Sequence, residues 1–111
     1  MIGASVRIFV CREPQDLRRS FDGLAFAAKQ VLGEDPQSGA LFCFLNKRAN
    51  RLKCLWWDRN GYCLLYKRLH RARFCLPAGD ASGSPSLRID GAELAQLIAG
   101  VTKAKRSRCS S

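Results

Sequence analysis

The series of short apolar runs that begins at residue 41 constrains the fold more than any other feature of this sequence. Leu41–Leu45 is apolar at every position, a pattern typical of a central strand that is covered on both faces. Residues 52–58 and 62–68 flank Arg59-Asn60-Gly61, and an Asn-Gly pair between two such runs is a strong hairpin signal. This part of the chain therefore predicts strands that follow one another in an antiparallel β-meander.

Two further strands are expected at the ends of this region. Val6–Val10 is β-branched or aromatic apart from Arg7, and it predicts a first strand. Residues 73–76 predict the fourth strand of the meander, and this strand should end at Pro77, which cannot continue the hydrogen-bonded ladder. Residues 77–86 are rich in Pro, Gly and Ser and indicate a linker or long loop.

Two helices complete the predicted fold. Asp16 is a candidate N-cap and Gly33 a candidate C-cap, and the apolar residues between them recur at helical spacing. These residues are Leu17, Phe21, Leu24, Ala28, Val31 and Leu32. Asp90 followed by Glu93 resembles a capping box that opens a short second helix. Its inward residues would be Leu94, Leu97, Ile98 and Val101.

The predicted fold class is α+β: a mostly antiparallel β-meander with one long helix packed on the sheet and a short C-terminal helix. With 111 residues we expect one domain, at residues 1–101. Residues 102–111 are polar and basic and are expected to be a disordered tail. The apolar runs are too short for a membrane span, and no secretory pattern opens the sequence. A soluble cytoplasmic protein with no membrane partner is therefore expected.

The net charge of +10 is concentrated in one region of the sequence. Residues 46–73 contain nine Lys or Arg residues against one acid, Asp58, whereas residues 1–35 hold equal numbers of each sign. Aromatic residues interleave with these cations: Trp56, Trp57, Tyr62, Tyr66 and, just beyond them, Phe74. Cations neutralise phosphates and exposed aromatic rings stack on bases, so this combination indicates a nucleic-acid surface. About half of the aromatic side chains must nevertheless face the core, because side chains alternate along strands.

We expect the turn at residues 47–51 and the stretch at residues 67–73 to project at the same end of the sheet, because two strands separate them. Arg59 would then lie at the opposite end. The predicted DNA-binding residues are Lys47, Arg48, Arg51, Lys53, Lys67, Arg68, Arg71 and Arg73. The alternative is that these cations only solvate and protect the outer face of an antiparallel sheet.

The sequence indicates neither a metal site nor a catalytic site. Its six cysteines are too widely spaced for a zinc knuckle, and His70 is the only histidine. Four cysteines lie in apolar runs and are expected to be reduced core thiols; they are Cys43, Cys54, Cys63 and Cys75. Cys109 is the thiol expected to be exposed. Because no carboxylate orients His70 and no Gly-rich phosphate loop occurs, we expect no enzyme activity, no cofactor and no small-molecule substrate.

Several blocks in residues 3–77 resemble a known family. They are Asp16-Leu17-Arg18, Phe21-Asp22-Gly23-Leu24, Asp35-Pro36-Gln37-Ser38-Gly39, Leu41-Phe42-Cys43-Phe44, Lys47-Arg48, Lys53, Leu55-Trp56-Trp57-Asp58, Gly61, Lys67-Arg68-Leu69, Arg73-Phe74 and Pro77. In this order they resemble the small accessory protein, the TnpB-type product of the second open reading frame, of bacterial insertion sequences of the IS66 family. Ser20, His70 and Ala72 depart from the residues usual in that family, and His70 makes the basic region more basic.

The resemblance implies a role in transposition beside a separate catalytic transposase, and it implies no catalytic residues in this chain. Two hypotheses follow. In the first hypothesis, the chain binds DNA through its basic hairpins and contacts the DNA backbone rather than the bases. Alternatively, it is an adaptor that binds the transposase or another accessory protein of the same element. Arg18, Asp22 and Trp56-Trp57-Asp58 would then be interface residues, although Arg18 and Asp22 could equally form a surface ion pair.

Overall fold

A five-stranded sheet lies at the centre of the molecule, in a computed structural model that describes residues 6–76 and 83–102. The elements in chain order are β1 (Ile8–Cys11), α1 (Phe21–Gln30), β2 (Leu41–Leu45), β3 (Arg51–Asp58), β4 (Gly61–Arg68), β5 (Ala72–Arg73), β6 (Ser86–Ile89), α2 (Gly91–Ala99) and β7 (Val101–Thr102). The strand order of the large sheet is β4-β3-β2-β1-β6, and β5 and β7 form a separate two-stranded sheet.

The large sheet is mostly antiparallel, which confirms the predicted α+β class. Only the contact between β1 and β2 is parallel, with Ile8 opposite Leu41. The other three contacts, β1–β6, β2–β3 and β3–β4, are antiparallel. Parallel neighbours need a crossover, and α1 supplies it by carrying the chain from the end of β1 back to the start of β2.

Every residue of β1 and β2 is buried, because both faces of these central strands are covered. On one face, the α1 face, Phe9 and Phe42 pack beneath Leu24 and Ala28 of the first helix. The rings of Phe9 and Phe42 are stacked, with centroids 5.8 Å apart. The opposite face, the α2 face, is covered by a second apolar cluster that includes Val10, Cys43, Leu52, Phe74 and Leu97. The fully apolar β2 predicted from the sequence is thus confirmed as a central strand.

The expectation of one long helix is wrong, because α1 has ten residues and begins at Phe21, with Ser20 as its N-cap. Asp16 instead accepts hydrogen bonds from Arg18, including one from Nη2 to Oδ2 of 2.9 Å. These hydrogen bonds lower the pKa of Asp16 to about 2. Leu17 is buried from a non-helical segment, and Leu32 is buried beyond the end of α1. The apolar periodicity therefore continued past both ends of the helix.

Gly23 lies within α1, where glycine costs about 1 kcal/mol relative to alanine. A Cβ atom at this position would lie 2.8 Å from Arg19 Cβ. The absence of a side chain therefore allows Arg19 to pack back against the first turn of the helix.

The prediction that residues 73–76 form the fourth strand of the meander is also wrong. Only Ala72–Arg73 forms a strand there, and it pairs with Val101–Thr102 rather than with β4. Phe74 leaves the strand and is buried on the α2 face, 1% exposed. Val101 was expected on the second helix, but α2 ends at Ala99 because Gly100 turns the chain with φ 75°.

The capping box at the start of α2 is confirmed. Asp90 accepts a hydrogen bond from the Glu93 N–H at 2.8 Å, and Glu93 accepts one from the Asp90 N–H at 3.1 Å. The strand β6 immediately before this box was not predicted. Its Leu87 and Ile89 are buried on either side of the exposed Arg88. Most of the expected linker, residues 77–82, and residues 103–111 of the expected tail lie outside the described residues.

The turn between β2 and β3 is organised by the side chain of Asn46. Its Oδ1 accepts hydrogen bonds from the Asn50 N–H at 3.0 Å and the Arg51 N–H at 2.9 Å. Its Nδ2 donates to Asn50 Oδ1 at 2.7 Å. Within this turn Ala49 takes the left-handed conformation with φ 56°.

The β3–β4 hairpin is confirmed, with paired residues running from Arg51 and Arg68 to Asp58 and Gly61. The two residues between the strands are Arg59 and Asn60. The position with positive φ is Arg59, at 55°, rather than the Asn or Gly that usually occupies such a turn.

Replacing Arg59 with Gly should increase the free energy of unfolding by about 0.5–1 kcal/mol, because glycine adopts positive φ without steric cost. Thermal unfolding of both proteins measures the change. Arg59→Ala is the control, since it removes the same side chain and leaves the backbone strained. Equal stabilisation by both substitutions would assign the effect to the lost charge instead.

Replacing Asn46 with Ala should lower the free energy of unfolding by about 1–3 kcal/mol, because two backbone N–H groups lose their acceptor in a half-buried turn. Chemical denaturation measures the loss. Asn46→Asp keeps the acceptor and should cost less. If the two variants are equally destabilised, the accepted hydrogen bonds do not hold the turn.

Candidate nucleic-acid interface

Two chain segments meet at one end of the central sheet. The Leu69 N–H donates to Asn50 O at 2.8 Å, and the Phe74 N–H donates to Ala49 O at 2.6 Å. These bonds attach residues 69–74 to the β2–β3 turn at both ends of the segment. The buried ring of Phe74 anchors the same segment in the core.

Between the turn and the attached segment lies an open groove of about 630 Å³, which we call the arginine groove. Five arginines line it, together with His70: Arg48, Arg51, Arg68, Arg71 and Arg73. The other described lining residues are Asn50, Leu69 and Ala72, so no acidic side chain from residues 6–76 or 83–102 lines the groove. The expected convergence of the 47–51 turn and the 67–73 stretch is therefore present.

The charges in the groove are not balanced locally. Over residues 6–76 and 83–102, none of the five guanidinium groups forms a salt bridge or a side-chain hydrogen bond. Arg51 and Arg68 are directly opposite each other on β3 and β4. Like charges in that position destabilise a strand pair, so the pairing is unfavourable unless an anion lies between them.

The three lysines among the predicted DNA-binding residues do not line the groove. Lys47 is exposed on the neighbouring turn. Lys53 Nζ donates to the backbone oxygen of Arg19 at 3.0 Å. Lys67 Nζ donates to Ile98 O at 2.8 Å, where a cation satisfies one of the last carbonyls of α2. The structure therefore gives Lys53 and Lys67 contacts within the protein.

Sequence reasoning missed the residues that shape the groove. Asn46 and Asn50 hold the turn, and the signal for them was a pair of asparagines bracketing a short polar loop. Gly100 was also missed: a Cβ atom there would lie 2.6 Å from Leu69 Cδ1 and 3.3 Å from Arg73 O. Glycine, which adopts the φ of 75° at this position without strain, therefore lets the end of α2 approach the segment that carries the groove.

Arg59 lies at the far end of the β3–β4 hairpin from the groove, as the alternation of turns requires. The ladder has eight residue pairs from the Arg51–Arg68 end to the Asp58–Gly61 end, so the two ends are seven residue steps apart. At about 3.4 Å per residue, the two ends are about 24 Å apart. Arg59 is thus a cation on the same hairpin that does not belong to the groove.

Three of the residues that the adaptor hypothesis names, Arg18, Trp56 and Trp57, make contacts within this chain. Arg18 forms its salt bridge with Asp16, at 2.9 Å, and it lies outside α1, so the suggested Arg18–Asp22 pair is wrong. Trp56 packs against the α2-face cluster. Trp57 contacts Tyr62 edge to face, with ring centroids 4.9 Å apart.

The cysteines are largely core residues. Cys43 and Cys54 are buried with their sulfur atoms 3.3 Å apart. The hydrogen bond from Cys54, together with burial, raises the pKa of Cys43 well above its ordinary value, so this thiol stays protonated. Cys63 is a half-buried free thiol. Cys75 is disulfide-bonded, so the expectation of a reduced thiol at that position is wrong; Cys109 lies outside the described residues.

No cluster of three or more His, Cys, Asp or Glu side chains that could hold a metal ion occurs in the described part of the chain. The two helices present there are also too short to cross a membrane.

Comparison with known proteins identifies the family of this chain. Residues 6–108 match the family described as IS66 Orf2 like protein. Two relatives from Sinorhizobium fredii are similar along most of their length. The uncharacterized protein y4hO is 34% identical over 99 residues, which cover 89% of this chain and 84% of the relative. The uncharacterized protein y4jC is 36% identical over 110 residues, which cover 96% of this chain and 92% of the relative.

No solved structure matches this chain significantly. The family match, in contrast, extends across the central sheet, both helices and all five arginines of the groove. The chain belongs to the IS66 Orf2-like family.

Proposed function

We propose that this chain is a non-catalytic accessory protein in the transposition of a bacterial insertion sequence and that it binds DNA through the arginine groove. Membership of the IS66 Orf2-like family supports the accessory role. The observation that carries DNA binding is the groove itself, where five arginines converge and no acidic residue of the described part of the chain lines the space.

The chemistry of guanidinium groups suits a phosphate ligand. Each presents planar, paired N–H donors that match two phosphate oxygens. A phosphate between Arg51 and Arg68 would replace their mutual repulsion with two attractive contacts. Binding would also release the counterions that otherwise accompany DNA, which contributes a favourable and salt-dependent free energy.

The proposed contacts go to the DNA backbone and not to base edges. The groove is built from a turn, the ends of β3 and β4, a loop and β5, and neither helix is among its lining elements. The buried side of the first helix also packs in the core and is not available to DNA. It consists of Leu24, Ala25, Ala27 and Ala28. Phosphate contacts position a protein on DNA but carry no direct sequence information, so similar affinity for different sequences is expected.

The test is the salt dependence of DNA binding, measured by fluorescence anisotropy. If five arginines each neutralise one phosphate, the slope of log K against log salt should be about −4.5 for the wild type. Combined substitution of Arg48, Arg51, Arg68 and Arg71 by Gln should weaken binding to every DNA sequence. The slope should then become shallower by about 3–4. Gln keeps the side-chain length while removing the charge.

Arg59→Gly is the matched control, because it removes one cation from the far end of the same hairpin. It should change the slope by less than about one phosphate equivalent. Circular dichroism establishes that both variants are folded. A folded groove variant with unchanged affinity and slope would contradict DNA binding through this groove.

A second candidate is an adaptor that binds the transposase of the same element without touching DNA. The observation that favours it is the exposure of two phenylalanines on α1, Phe21 at 42% and Phe26 at 62%. Exposed aromatic side chains are typical contact residues in protein interfaces. Capture of purified transposase after nuclease treatment, and its loss in Phe26→Ser, would support the adaptor; capture that disappears with nuclease would indicate a DNA bridge.

A further inference from the structure

One exposed aromatic ring lies beside the arginine groove and is not used by the core. Tyr66 is 51% exposed, whereas Tyr62, on the same strand and the same face, packs against the α1-face cluster. Tyr66 and Arg68 are two residues apart on β4 and therefore share a face. Their Cα atoms are separated by about 7 Å, so the ring adjoins the Arg51–Arg68 pair that lines the groove.

The ring is restrained by its cross-strand neighbour. Lys53 is directly opposite Tyr66, and its Nζ lies 5.1 Å from the ring centroid. The same Nζ is held by the Arg19 carbonyl. A simple surface cation–π pair would explain this contact alone. About half of the tyrosine nevertheless remains exposed to a ligand.

We propose that Tyr66 and the arginine groove together bind single-stranded DNA, with a base stacked on the Tyr66 ring and the adjoining phosphates in the groove. This inference rests on the proposed function and specifies its ligand. Proteins that bind single strands combine a cationic groove for the backbone with aromatic rings for the bases. Both parts are present here on one hairpin, where a single residue pair, Leu52–Lys67, lies between the Lys53–Tyr66 and Arg51–Arg68 pairs.

The shape of the site favours an unpaired strand over a duplex. The groove is a concave space between two attached segments, and its arginines converge on that space from β3, β4, β5 and the connecting loops. A flexible single strand can follow such a surface, whereas a duplex keeps its phosphates on a stiff outer ridge. In a duplex the base faces are also stacked on each other and are not available to Tyr66.

The test compares Tyr66→Ala with Tyr66→Phe on an oligothymidylate of about 12 nucleotides and on a duplex of the same length. Tyr66→Ala should weaken single-strand binding about tenfold, as expected for the loss of one stacked base. Its salt slope should be unchanged, because no charge is removed. Tyr66→Phe keeps the ring and should bind within about twofold of the wild type. Leu65→Ala is the control, since Leu65 is the exposed neighbour on the other face of β4.

Photocrosslinking to bromodeoxyuridine-substituted single strands gives a second measurement that does not depend on the variants. The crosslinked peptide should contain Tyr66. Equal single-strand affinity of Tyr66→Ala and the wild type would overturn the inference, as would tighter binding to the duplex. If DNA still binds with the salt slope of the groove, the proposed function stands without this refinement. Absence of binding to either DNA would overturn both.

Discussion

Burial of the two central strands on both faces is the constraint on which the rest of this structure depends. β1 and β2 are apolar throughout, so neither face of the sheet can be left to solvent. α1 covers one face during the crossover between them. The other face is covered by parts of the chain that follow β4, including Phe74 and Leu97. The return of the chain across the sheet is thus a requirement of the core.

The arginine groove is a consequence of that return. To reach the second face, the chain passes the β2–β3 turn and forms two backbone hydrogen bonds with it, at Asn50 and Ala49. Burial of Phe74 and the narrow approach at Gly100 fix the passing segment in place. Arginines that are far apart in sequence then line one space. The site is held by apolar and backbone contacts, which leaves the guanidinium groups available to a ligand.

Local signals in the sequence were sufficient for elements that depend on local chemistry. The β3–β4 hairpin and the Asp90–Glu93 capping box follow from adjacent residues, and both are confirmed. The first helix was predicted too long because Leu17 and Leu32 are buried from outside it, and helical spacing cannot distinguish such residues from helical ones. Pairing of β5 with β7 joins residues about thirty positions apart, and no pattern in either two-residue strand indicates its partner.

The same distinction applies to the candidate site. The alternation of hairpin turns predicted that the 47–51 turn and the 67–73 stretch meet at one end of the sheet, and five of the eight predicted cations line the groove there. It could not predict that Lys53 and Lys67 contact backbone oxygens within the protein, since Arg19 and Ile98 are brought there by tertiary packing. The positioning role of Asn46 depends likewise on a turn whose geometry includes a left-handed alanine at Ala49.

The contacts between the groove and α2 have a consequence for how the molecule opens. Lys67 donates to the last turn of α2, Gly100 packs against Leu69, and Val101 pairs with Arg73. Local opening of a protein proceeds in contiguous cooperative units, so we expect the second helix and the groove, which these contacts connect, to open together. A ligand bound in the groove would therefore slow amide hydrogen exchange in α2, a helix that does not line the groove.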